Sequence, residues 1–110
     1  MAQHFDVGTH LPLAWDRIDA FCRKWGIAEL ALFGSVLRDD FRADSDVDVL
    51  VSYAPDAKPS LFDQVDKEEE LEAIFGRPVD LVSRRAIEES ENPFRRRAIL
   101  GSARVVYVAS

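Results

Sequence analysis

The run Asp46-Val47-Asp48-Val49-Leu50-Val51 constrains this chain more than any other. Successive side chains on a strand point to opposite faces, so the valines would take one face and both aspartates the other. The arrangement is costly when empty, because neighbouring carboxylates repel and aspartate is a poor strand former. At ordinary strand rise the Cα atoms of Asp46 and Asp48 stand roughly 6–7 Å apart. Two carboxylates at that spacing can reach one cation, which removes the repulsion. The segment 46–53 is therefore expected as a strand that carries a site.

Around it the chain alternates helical and extended signals. Residues 1–12, with Gly8 and Pro12, read as a lead-in. Trp15, Ile18, Phe21, Cys22 and Trp25 follow at helical spacing and predict a core-facing stripe stopped by Gly26. Residues 27–33 read as a strand, Gly34-Ser35 as a turn and the following VLRD as a single helical turn. After the loop 54–59, residues 60–75 read as a helix capped by Ser60 and ended by Gly76. Phe62, Val65, Ile74 and Phe75 are its expected apolar face, and its DKEEELE run its solvated face. A buried strand over 78–83, a short helix over 84–89, a helix started by Asn92-Pro93 and stopped by Gly101, and a strand over 103–109 complete the reading. The fold class is α/β (α+β), a small mixed sheet backed by helices. The 110 residues are expected to form one domain.

Composition narrows the function. With 20 acidic and 14 basic residues the net charge is -6, which disfavours long duplex nucleic acid as a ligand. Cys22 is the only cysteine, and with only His4 and His10 beside it a structural zinc site is not expected. The first residues lack the basic and apolar regions of a secretory signal, and no run reaches the length of a membrane span. Cytoplasmic residence is the default expectation.

Asp80 supplies a third carboxylate if strand 78–83 lies beside strand 46–53. Set among Val79, Leu81 and Val82, its charge is expensive unless paired or metal-bound. Three such acids can hold two metal ions. Magnesium suits all-oxygen ligation and leaves room for substrate phosphates and for an attacking hydroxyl. Gly34 allows close backbone approach, Ser35 starts a short helix with unpaired N–H groups, and Arg38 lies one turn on. Together they offer a phosphate seat. Asp39, Asp40 and Asp44 read as solvent-facing loop acids, and Ser45 as a turn cap or a ligand contact. The EF-hand pattern fails, because Val49 stands where glycine is required and Pro55 where glutamate is; a Walker A loop is absent.

Gly34-Ser35, ten residues, Asp46-x-Asp48 and a later strand aspartate at Asp80 resemble the polymerase-beta-like nucleotidyltransferase superfamily. The size and the layout from LFGSVLRDDFRADSDVDVLV to FGRPVDLVS are similar to its minimal nucleotidyltransferases, over roughly residues 27 to 105. The resemblance implies that Asp46, Asp48 and Asp80 are catalytic metal ligands. It makes Gly34-Ser35 the nucleotide-phosphate turn, with Arg38 and Ser45 beside it. Asp39 departs from the glycine that members often carry. The resemblance also implies AMP transfer from ATP to a tyrosine of a helical HEPN-like toxin, with this chain as the antitoxin. Neutralisation by occlusion alone is the alternative, and a homo-oligomer is allowed. Arg84, Arg85 and Arg95-Arg96-Arg97 fit an interface, a triphosphate contact or plain solvated helix faces.

Overall fold

The amphipathic stripe after the lead-in forms helix α1 (Trp15–Trp25), which buries Ile18, Phe21 and Cys22 and ends at Gly26. In this computed structural model residues 2–9, 11–39, 41–42, 44–57 and 61–109 are described. His10, Asp40 and the expected cap Ser60 lie outside them. Strand β2 (Ile27–Phe33) follows α1 directly, and a 3-10 turn (Gly34–Leu37) leads away from it. Strand β3 (Val47–Tyr53) begins one residue later than the alternation suggested, leaving Asp46 just ahead of it.

A 3-10 turn over Leu61–Asp63 runs into helix α2 (Gln64–Phe75), then strand β4 (Val79–Ser83). Helices α3 (Arg84–Glu88) and α4 (Pro93–Ser102) and strand β5 (Arg104–Val108) complete the order. The lead-in contributes one further strand, β1 (Gln3–His4), paired antiparallel to β5. It is tied down from outside the sheet. The His4 ring stacks on Trp15 at 4.3 Å between centroids, and its Nε2 lies 2.6 Å from an Asp19 oxygen.

The sheet order is β1-β5-β2-β3-β4, antiparallel except for β3 and β4, which run parallel across the α2 crossover. It is the small mixed sheet expected. One face carries Leu30, Leu32, Val47, Val49, Val51 and Val106 against α1 and α2; the other packs Ala31, Phe33 and Leu50 against Ile87 and Ile99 of α3 and α4.

Two helices depart from the sequence reading. The buried side of α2 is Lys67, Leu71 and Phe75, whereas Phe62 is 94% and Val65 62% exposed. The expected face was therefore wrong at its N-terminal half, and the charge run is not wholly solvated. Within it, Glu68 accepts the Leu81 N–H, and Glu70 accepts hydrogen bonds from Lys24 and the Trp25 indole. In α4, Asn92 caps the start as expected, its side chain accepting from the Phe94 and Arg95 amides. Gly101, however, does not stop the helix, which runs to Ser102. The Arg104 guanidinium reaches back to the Ser102 and Ala103 carbonyls, giving the last turn partners and delaying its end.

Candidate active site

The end of β2 and the start of β3 meet because the two strands pair antiparallel, with Phe33 opposite Asp48. The next residue, Gly34, has φ +76°, in the left-handed region that favours glycine. It is glycine for a second reason: a Cβ there would collide with Oδ2 of Asp48 and stand 3.2 Å from its Cγ. The turn and the carboxylate thus occupy one another's space. Ser35 follows, half-buried, and its carbonyl accepts the Arg38 N–H at 2.9 Å.

The parallel register between β3 and β4 places Asp48 directly beside Asp80, flanked by Val47 beside Val79 and Val49 beside Leu81. Strand 78–83 therefore lies where the Asp80 argument required it. On this sheet face Asp48 is half-buried and Asp80 exposed, while their valine and leucine neighbours are buried on the other. Asp46 is exposed at the mouth of β3.

Crowding leaves its mark on Asp48. Burial pushes its carboxyl above the ordinary carboxylate value; the charges of Asp80 and then Asp46 push it further, and Arg38 pulls part of the way back. All three acids and the arginine are thus within electrostatic reach of one point. An all-carboxylate donor set with mutual repulsion is the chemistry that a hard divalent cation relieves. The fit is one of charge and donor type. Among the described residues no three acidic, histidine or cysteine side chains are gathered into a cluster that could hold a metal ion.

The loop leading to Asp46 is fastened by Ser45 and by Arg77, which the sequence reading did not single out. Arg77 donates to the Arg42 carbonyl at 2.6 Å, and its guanidinium lies 4.4 Å from the centre of the Phe41 ring. The Ser45 hydroxyl accepts the Arg42 N–H at 2.9 Å, the turn-capping use anticipated for it. Val47 donates to the Pro78 carbonyl, fixing the entry to β3. No local pattern announces Arg77, because its partners lie 35 residues back. Asp39 and Asp44 are exposed, as expected of loop acids. Cys22 is buried, and burial, with Asp19 adding to it and Arg23 opposing, pushes its thiol up to about 12. It is a core residue and no nucleophile.

Residues 17–106 match the family model of the nucleotidyltransferase domain. The protein adenylyltransferase MntA of Thermococcus cleftensis is 40% identical over 65 residues, covering 59% of this chain and 64% of that relative's length. A solved structure provisionally named a minimal nucleotidyltransferase is 32% identical, with TM-score 0.59, over 88% of this chain and 98% of its own. A toxin-antitoxin crystal structure with AMP-PNP shares the fold at TM-score 0.67 and 19% identity, over 89% of this chain and 76% of that one. The chain belongs to the nucleotidyltransferase domain family, on the minimal nucleotidyltransferase branch of the polymerase-beta-like superfamily.

Proposed function

We propose that this chain is a magnesium-dependent nucleotidyltransferase that moves AMP from ATP onto a tyrosine hydroxyl of a partner toxin and so acts as its antitoxin. The observation that carries this reading is the parallel pairing of Asp48 with Asp80 next to a glycine turn whose open space the Asp48 carboxylate fills. Similarity to a protein named as an adenylyltransferase, and to the fold of a toxin-antitoxin structure, supports it.

Each residue has a task that follows from its position. The backbone N–H groups of the Gly34–Leu37 turn would receive phosphate oxygens, and Arg38 would add a charge-assisted contact. Asp46 and Asp48, joined by Asp80, would hold magnesium, which supplies charge neutralisation at the phosphates and a more acidic attacking hydroxyl. Asp80, the exposed acid of the pair, would orient that hydroxyl for attack at the α-phosphorus, with pyrophosphate leaving.

The test is an incubation of a helical toxin-like protein, where one is encoded beside this chain, with the chain, ATP and magnesium, read by intact-mass spectrometry. The partner should gain AMP units on tyrosine, and the Asp46→Asn/Asp48→Asn variant should add none. A wild type that silences its partner without any mass change, matched by the double variant, would establish occlusion instead.

A further inference from the structure

Asp48 and Asp80 lie near the start of β3 and β4, yet a large cavity opens at the other end of the same two strands. Its volume is about 560 Å³, and Tyr53, Gln64, Lys67, Ser83, Arg84 and Arg85 are among the residues that line it. At strand rise its Ser52 wall stands about 13 Å from Asp48. The cavity is therefore separate from the proposed phosphate seat.

The cations around it are unequally partnered. Arg84 lies 3.7 Å from Glu88 and 4.0 Å from Glu29, and Arg85 pairs with Glu89 at 3.1 Å, with Glu88 and Glu89 themselves in the cavity wall. Lys67 has no such direct partner among the described residues. It occupies a core position of α2, one turn before Leu71 and two before Phe75, and is only 2% exposed. Its ammonium has three donors. One is given to the Tyr53 hydroxyl at 2.9 Å, and the Nζ stands 4.6 Å from the Tyr53 ring centre and 5.3 Å from that of Trp25. Among the described residues no carboxylate is ion-paired with it. The nearby acid Glu70 turns instead to Lys24 and the Trp25 indole. Aromatic faces offset part of the cost of burying an ammonium, but a buried cation without an anion leaves charge uncompensated.

Size adds a second constraint. A cavity of this volume falls in the range of small-molecule sites and exceeds the need of a bare inorganic ion. Val51, Ala54, Pro55 and Ala86 give it apolar wall beside the polar groups. We propose that this cavity binds a small organic molecule bearing one oxyanion, phosphate or carboxylate, with the anion held by Lys67, Tyr53 and the Arg84-Arg85 pair and the body against the apolar wall. The site is independent of the transfer chemistry, and nothing in it requires the proposed reaction.

Phenyl phosphate serves as the probe, with phenylacetate as the carboxylate arm and benzyl alcohol as the neutral control. The full chain, isotope-labelled, is titrated to about 20 mM and followed by amide chemical shifts, a range that captures weak fragment binding. Saturable shifts centred on residues 52–54, 64–68 and 83–86 are expected for at least one anion and none for the alcohol. Which anion saturates first tells phosphate from carboxylate. Lys67→Met keeps the apolar stem and should weaken binding about tenfold, whereas Asp48→Asn should leave it within about twofold. Shifts centred on residues 34–38 and 48, equal binding by Lys67→Met, or no saturation with either anion would overturn the proposal. The shift map of the unmutated chain decides the matter even if Lys67→Met does not fold.

Discussion

At their N-terminal ends the two faces of the β3–β4 pair are built for opposite purposes. On one, Val47, Val49, Val79 and Leu81 are buried against α1 and α2, with Val47 and Val49 fully excluded from solvent. On the other, Asp48 and Asp80 sit side by side, half-buried and exposed. The valine face fixes the register, because a slip of one residue would turn it outward and drive both aspartates into the core. Further along, the acidic face joins the fold where Leu50 and Val82 meet Ile87 and Ile99, but Asp48 and Asp80 themselves receive their alignment from the valine face behind them. Stability and chemistry are thus divided between alternate residues of the same strands rather than between separate segments.

The largest expected effect breaks that division on the acidic side. Asp48→Asn preserves the shape of the side chain and removes its charge. The proposed transfer to a partner should fall about 10³-fold, the scale of losing an electrostatic contact made at the transition state. The melting temperature should not fall, since a residue strained by its neighbours is relieved. Loss of activity and folding together would show that the two faces are not separable.

On the valine side the effect should be smaller and of the opposite kind. Val49→Ala leaves a cavity in the main core and should cost about 2 kcal/mol of unfolding free energy. A shift in urea midpoint measures it. Below the new transition, transfer should stay within about twofold of the wild type, because Asp48 and Asp80 keep their register.

The same division explains what could be read in the sequence. Strict alternation of valine and aspartate exposed the site, and the cost of a lone charge among Val79, Leu81 and Val82 marked Asp80 as its conditional third member. The stripe of α1 and the Asn92-Pro93 start of α4 were legible because each rests on local geometry. Elements that depend on distant partners were not. Lys67 lies in a charged run, and only its contact with Tyr53 and Trp25 explains its burial. Phe62 and Val65 fit a helical apolar pattern, but α2 turns its Lys67–Leu71–Phe75 side to the sheet. Strand β1 has two residues, too few for any periodicity to show.

The smallest effect sharpens the comparison by measuring the strain on the acidic face itself. Burial, then Asp80, then Asp46 raise the Asp48 carboxyl above its ordinary value of 3.8, and Arg38 only partly opposes them. The folded chain therefore keeps a proton on Asp48 at pH values where the unfolded chain has released it. The stability due to that proton is complete below the unfolded value and is lost as pH rises through the raised folded value. The neutral amide of the Asp48→Asn variant mimics the protonated acid at every pH, so subtracting the two melting curves reads Asp48 together with its coupling to Asp80 and Asp46. The variant should match the wild type at about pH 3.5 and exceed it by about 3 °C near neutrality, a modest figure because solvent screens a half-buried charge. Magnesium should then narrow the gap by stabilising the wild type alone, since the cation replaces the missing proton as the partner of the crowded carboxylates. A difference that stays constant across the whole range would mean that Asp48 carries no strain, and that the acidic face is as passive as any exposed edge.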